Sequence, residues 1–201
     1  MAYDDGVRAA AGGLSGQQRE LHFSGATIIA ITQQEFDEKY PLILGWIKNL
    51  LAEHAASARS VASLGFKRLP LYFPPDVLAA SKVVYVPKVP APPLSALGFT
   101  QFADFENMNA GGTTYLDTFF SRNEMRGDEA HHFHELVHVL QWLLLGPKSF
   151  VAAYADGLER IGYRSSPLEM MAYTLESVFQ NGRAPFDMAA IVREQLQELY
   201  P

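Results

Sequence analysis

The chain predicts an α+β fold: a small, mostly antiparallel sheet packed on one buried helix, with a helical C-terminal half. Three observations predict it. Strand-type segments rich in β-branched and aromatic residues fall before residue 121, whereas capped helical stretches fill 128–201, and strands followed by helices define this class. One of those helices is apolar around nearly its whole circumference, so it is buried on most sides. A length of 201 residues with 48% hydrophobic content is enough for one sizeable core. The organisation read from this is a flexible leader, 1–19, and a single domain, 20–201.

Leu21 to Thr32 carries Leu21, Phe23, Thr27, Ile28, Ile29 and Ile31 and reads as a strand. Thr32-Gln33-Gln34-Glu35 has the form of a capping box, which starts a helix. Pro41 should break or kink that helix, because proline lacks the amide hydrogen and crowds the preceding turn. A longer amphipathic helix is expected over 42–63, where Leu44, Trp46, Ile47, Leu50, Leu51 and His54 recur at spacings of three and four. From Leu69 to Pro93 the chain is proline-dense around one strand, Val83 to Val86, and reads as a wrapped, loop-rich section. Gly111-Gly112 then precedes a strand from Thr113 to Phe120. Asp128 is a good N-cap for the apolar helix, which Gly146-Pro147 closes. Further helices are expected over about 147–160, from Ser166-Pro167 to about Gln180 where Asn181-Gly182 stops it, and from Asp187 to the C-terminus. The sequence has no internal repeat.

A net charge of −6 and a pI near 5.5, without any Lys/Arg block, exclude a general binder of nucleic acid or of anionic membrane. No window is apolar for long enough to span a bilayer. The first nineteen residues hold no basic region followed by an apolar core, so no signal peptide is expected and the cytoplasm is the default location. With no cysteine there is no disulfide framework, and any zinc site must be built from His and carboxylate. The oligomeric state is not legible.

The chemistry concentrates in His134-Glu135-Leu136-Val137-His138. Residues four apart lie one above the other on a helix, so both imidazoles can reach one zinc ion at about 2.0–2.1 Å. Glu135 lies about 100° further round, which suits a general base that meets an activated water without ligating the metal. Phe133, Leu136, Val137, Val139, Leu140 and Trp142 surround it with apolar surface, where a carboxylate is costly unless a cation compensates it. The plainer alternative is a pair of structural histidines whose hydrogen bonds are satisfied. A catalytic zinc needs a third protein ligand. Position 141 is Gln and 144 is Leu, which excludes the compact form with a third histidine, and Asp156, Glu159, Glu169 and Glu176 remain. Ser166-Pro167-Leu168-Glu169 is itself a capping box, in which Glu169 would reach back to the Ser166 amide. His131 shares the face of His134 and His138. His131 and His132 read as first-turn residues, exposed or bonded to a ligand of the site, and His22 and His54 as surface or core residues without a role. Tyr154, Tyr163 and Tyr173 are candidates to donate to a developing oxyanion.

Phe133-His134-Glu135-Leu136-Val137-His138-Val139-Leu140-Gln141, followed about thirty residues on by Pro167-Leu168-Glu169-Met170-Met171-Ala172-Tyr173, resembles the gluzincins, zinc metallopeptidases of the thermolysin-like clan. It is most similar to their small bacterial members, whose second helix begins with Pro-x-Glu-x-x-Ala. The resemblance covers mainly residues 113–180. It implies Zn2+ held by His134, His138 and Glu169, with Glu135 as general base, the strand Thr113 to Phe120 as the substrate-facing edge, and a peptide or protein as substrate. Many gluzincins carry an aspartate that orients a metal-bound histidine where this chain has Tyr173, whose phenol can also make a hydrogen bond. Tyr173 therefore joins Glu135 as a catalytic candidate. Two readings stay open: a zinc-dependent metallopeptidase, and a zincin-fold metal-binding module that does not cleave.

Overall fold

The computed structural model describes residues 31–201 and, ahead of them, two short strands, Leu21–Phe23 (β1) and Ala26–Ile28 (β2). The expected leader, 1–19, lies outside the described residues, as does the side chain of His22. In place of one strand from Leu21 to Thr32 there are two, paired antiparallel with Leu21 opposite Ile28. Ser24-Gly25, a breaker dipeptide, separates them in sequence.

Thr32 caps α1 (Gln33–Glu53) with the expected reciprocal box: its hydroxyl accepts from the Glu35 amide, and the Glu35 carboxylate accepts from the Thr32 amide. Pro41 does not break this helix. It lies on the exposed side, where the carbonyl it leaves unpaired is solvated, while Phe36, Ile43, Ile47 and Leu50 face inward. The helix ends at Glu53 and does not continue to residue 63. Arg59–Ser60 (β3) is drawn into the sheet instead, and a 3-10 turn over Val61–Leu64 follows, closed by Gly65 at φ +77°.

The proline-dense section contains a short helix that periodicity does not show, α2 (Pro75–Ala80), started by a proline in its first turn, and the expected strand, β4 (Lys82–Val86). A second short helix, α3 (Ala103–Glu106), follows. The expected strand from Thr113 to Phe120 is a hairpin of β5 (Gly112–Tyr115) and β6 (Thr118–Arg122), turning at Leu116-Asp117. Leu116 takes a left-handed φ of +59°, which an L-residue adopts only under constraint. Asp117 supplies the constraint: its carbonyl accepts from the Lys82 amide at 2.8 Å and its carboxylate accepts from Thr118 Oγ1 at 2.7 Å and Lys82 Nζ at 3.0 Å. The sheet order is β3-β4-β6-β5, with β4 and β6 parallel and the other two pairings antiparallel. β5 is an edge.

Four helices complete the α+β fold: α4 (Glu129–Leu145), α5 (Pro147–Ile161), α6 (Pro167–Gln180) and α7 (Met188–Leu199). Their starts and stops follow the caps read from sequence. Asp128 accepts from the Ala130 and His131 amides, and Asp187 accepts from Ala190. Every residue of α4 from His131 to Trp142 is buried, with β5 and β6 on one side and α5, α6 and α7 on the others. His131 and His132 are therefore interior, not exposed. His132 sits among Phe66, Tyr85 and Phe119; its Nδ1 donates to the Asp128 carbonyl at 2.7 Å and its Nε2 accepts from Tyr85 Oη at 2.8 Å, and His131 pairs with Ser121 Oγ at 3.0 Å. His54 packs edge-on to Phe120.

Candidate metal centre

α4 and α6 run antiparallel, and their contacts descend like rungs. Phe133 stacks on Phe179 at 4.5 Å, His134 Nδ1 lies 3.1 Å from Glu176, and Gln141 Nε2 donates to the Leu168 carbonyl at 3.0 Å. Between those rungs the two helices present His134, His138 and Glu169 to one point, all three buried, with one donor atom from each within 4.8 Å of the others.

The spacing fits a tetrahedral ion. Donors at about 2.0–2.2 Å from a common metal lie about 3.3–3.5 Å apart. Here the two Nε2 atoms are 3.1 Å apart, and the Glu169 oxygens lie 3.5 Å from His134 Nε2 and 3.5 Å from His138 Nε2. The far nitrogen of each ring is already committed: His134 Nδ1 to Glu176, and His138 Nδ1 to Gln141 Oε1 at 2.7 Å. Such bonds place the proton on Nδ1 and leave Nε2 free to ligate. Glu169 Oε1 accepts from Tyr154 Oη at 2.7 Å, whereas Oε2 is buried with no hydrogen-bond partner. A buried carboxylate oxygen without a donor is what a cation satisfies. The donor set, two imidazoles and a carboxylate, suits zinc and its neighbours in the first transition series.

The alternative role for Glu169 is absent, since Ser166 makes no side-chain cap and Glu169 turns inward. Asp156 pairs with Arg160 at the surface, and Glu159 accepts from the Ile31 amide. Glu176 does not join the cluster but holds His134 from behind. It thus does the work for which the resemblance offered Tyr173. Tyr173 instead lays its ring on His134, centroids 4.6 Å apart, beneath the Arg164 guanidinium.

Burial alone would raise the Glu169 pKa, but the imidazoles of His138 and His134 outweigh it and hold the carboxyl well below the usual range. Burial would lower His134, yet the Glu169 and Glu176 carboxylates outweigh it and push that imidazole up to about 10. A folded-state value above the unfolded 6.5 contributes stability that is full below pH 6.5 and lost as the pH rises to about 10. The melting temperature of chelator-treated protein should therefore fall across that window, and added zinc, which supplies the same positive charge, should flatten the fall. Thermal unfolding at a series of pH values checks it.

Glu135 faces the sheet. Thr114 Oγ1 donates to its Oε2 at 2.8 Å and lies 3.2 Å from its backbone carbonyl. The carboxylate nestles against Gly112, where an added Cβ would come 2.7 Å from His131 Cε1 and 2.8 Å from Glu135 Cδ. Gly112→Ala should displace Glu135, costing about 1–3 kcal/mol of stability as overpacking does, and slow any hydrolysis while zinc content stays normal. Unfolding and metal analysis on one preparation test both halves.

Glu135, His138 and Glu169 open onto one cavity of about 890 Å3 of empty space, part of it continuous with solvent. Its wall is drawn from α1, α4, α5, α6, β5, the α5–α6 connection and the chain between Pro92 and Phe105, a grouping that no local pattern in the sequence announces. Tyr154 and Tyr163 line it, and Tyr173 does not. Tyr115 lines it as well, and burial raises all three lining phenols, so each remains a donor at neutral pH. Thr114 and Gln141 were not read from sequence as parts of the site, and Glu176 was read only as a candidate ligand, not as the partner of one. Glu176 alone had a signal, standing seven residues, two turns, after Glu169 on the same helix face.

No protein-family model, curated protein or solved structure matches the chain. No helix among the described residues is long and apolar enough to cross a membrane.

Proposed function

We propose that this protein is a zinc-dependent hydrolase of gluzincin type that cleaves amide bonds, peptide bonds included. The observation that carries the reading is that a buried carboxylate outside the ligand cluster, Glu135, opens onto the same cavity as His138 and Glu169. His134, His138 and Glu169 would hold the ion. When bound, zinc supplies a Lewis acid for a carbonyl and acidifies a water molecule.

The chain's own groups divide the remaining work. Glu135, fixed by Thr114, takes a proton from the attacking water and passes it to the leaving nitrogen. Tyr154 spends its hydrogen on Glu169 and Tyr115 on the Pro90 carbonyl, so the remaining phenol on the cavity wall is Tyr163, which would turn its hydroxyl from Tyr173 to donate to an oxyanion. Gln141 and Glu176 keep the two imidazoles in the ligating tautomer. Protein purified without added metal should carry about one zinc per chain by the ligand logic of such sites. It should cleave a mixed library of peptides and acylated amines near neutral pH in a manner abolished by chelator and restored by zinc. If spectroscopy finds no transition metal and added zinc leaves the melting temperature unmoved, the reading fails.

A further inference from the structure

We propose that the cavity beside the cluster receives a long aliphatic acyl chain, so that the substrate is an N-acyl amine whose amide carbonyl rests between Glu135 and the metal ligands. The proposal rests on the hydrolase reading for its chemistry and on the cavity alone for its ligand.

Away from the cluster the described wall is almost wholly aliphatic and aromatic, with Phe36, Ile47, Leu94, Phe102, Val151 and Leu158 among its residues. Its ionisable groups among the described residues, phenols aside, are Glu135, His138 and Glu169. The other polar groups are nearly all committed elsewhere. Tyr115 Oη donates to the Pro90 carbonyl at 2.9 Å, Tyr154 to Glu169, Thr114 to Glu135, and Trp142 Nε1 to the Thr114 carbonyl at 3.0 Å. Away from the cluster, then, the cavity recognises nothing but apolar surface.

The sheet edge argues in the same direction. The amide of Arg122 donates to the Gly111 carbonyl, and with Thr113 opposite Phe120 the antiparallel alternation turns the Gly112 and Thr114 carbonyls to the free edge of β5. An extended peptide added to that edge needs those carbonyls as acceptors. The Thr114 carbonyl is taken by Trp142 Nε1, and the Gly112 carbonyl accepts from Thr113 Oγ1 at 2.8 Å. A methylene chain needs no backbone partner at all. In the reaction the water oxygen bonds to the acyl carbon and the C–N bond breaks. Its electron pair stays on nitrogen, which takes one proton of the water through Glu135; the carboxylic acid then gives up the second proton to the amine, and the products are a carboxylate and a protonated amine.

Saturated carboxylic acids of six to fourteen carbons, titrated into the full chain with and without zinc and followed by tryptophan fluorescence, test the ligand. Trp142 lines the cavity and reports directly. Affinity should rise about fourfold per methylene, the equivalent of burying one CH2, and the rise should persist in chelator-treated protein. Val151→Trp and Leu158→Trp, each filling the cavity from α5, one turn to either side of Tyr154, should cost the longer acids at least tenfold with zinc content unchanged. Two positions are used so that one misfolded variant does not decide the matter. N-dodecanoyl-glycinamide should also be hydrolysed faster than N-acetyl-glycinamide. Chain-length-dependent binding without any hydrolysis keeps the acyl site and sinks the hydrolase reading. Equal affinity for six and twelve carbons, or retention of the longer acids by both filled variants, overturns the acyl site whether or not the protein cleaves amides.

Discussion

Glu135→Gln should keep the zinc and the melting temperature of the parent and lose hydrolysis by at least the factor of about 10²–10⁴ that a general base supplies. The substitution is nearly isosteric. Its amide oxygen can still accept from Thr114, so the local packing of β5 on α4 survives. What disappears is, among the described residues, the only carboxylate on the cavity wall that is not a proposed ligand, and a carboxamide cannot take the water's proton. Metal content, unfolding and rate measured together separate the possibilities. Loss of zinc would make Glu135 a ligand and contradict the geometry in which the cluster excludes it; an unchanged rate would show that the proton goes elsewhere. Because contaminating proteases also respond to chelators, this variant is the control for every assay of the wild type.

Glu169→Ala should abolish tight zinc binding, while Glu176→Ala should weaken it by about 10–100-fold, the usual cost of removing a hydrogen-bond partner of a ligating histidine. On sequence grounds Glu176→Ala would be expected to leave affinity unchanged unless Glu176 were itself a ligand. The structure gives it a third role, behind His134 at 3.1 Å. Removing Glu169 deletes a ligand and also strips Tyr154 of its acceptor in a buried place, so a loss of stability accompanies the loss of metal. Competition against a chromophoric chelator ranks the two variants. Normal affinity in Glu169→Ala would disprove the cluster, and equal losses in both would make Glu176 a ligand.

Much of this was legible in the chain. The spacing of His134 and His138 sets two imidazoles on one face of α4, and Asp128 with Gly146-Pro147 marks the ends of that helix because caps and breakers act locally. Glu169 was ambiguous for a physical reason: Ser166 three residues before it is also the signature of a box, and only the docking of α6 on α4 turns the carboxylate inward. The hairpin escaped notice because Leu116 bears the positive φ where Gly or Asn would have announced a turn, and the compensation lies in bonds from Asp117 to Lys82, distant in sequence. Pro41 misleads in the opposite sense, since an exposed carbonyl tolerates the missing donor. The cavity and the engaged edge of β5 depend on segments that meet only in three dimensions, so no window of residues carries them.

The split of the ligands between two antiparallel helices has a kinetic consequence. His134 and His138 stand on α4 and Glu169 on α6, with all of α5 between them in the chain. An ion held there faces the cavity on one side, while the rungs of Phe133 on Phe179 and Gln141 on Leu168 keep its ligands together. Any parting of the pair takes Glu169 away from both imidazoles in one event. Substitutions that loosen the rungs should therefore shorten the metal's residence even where all three ligands are intact.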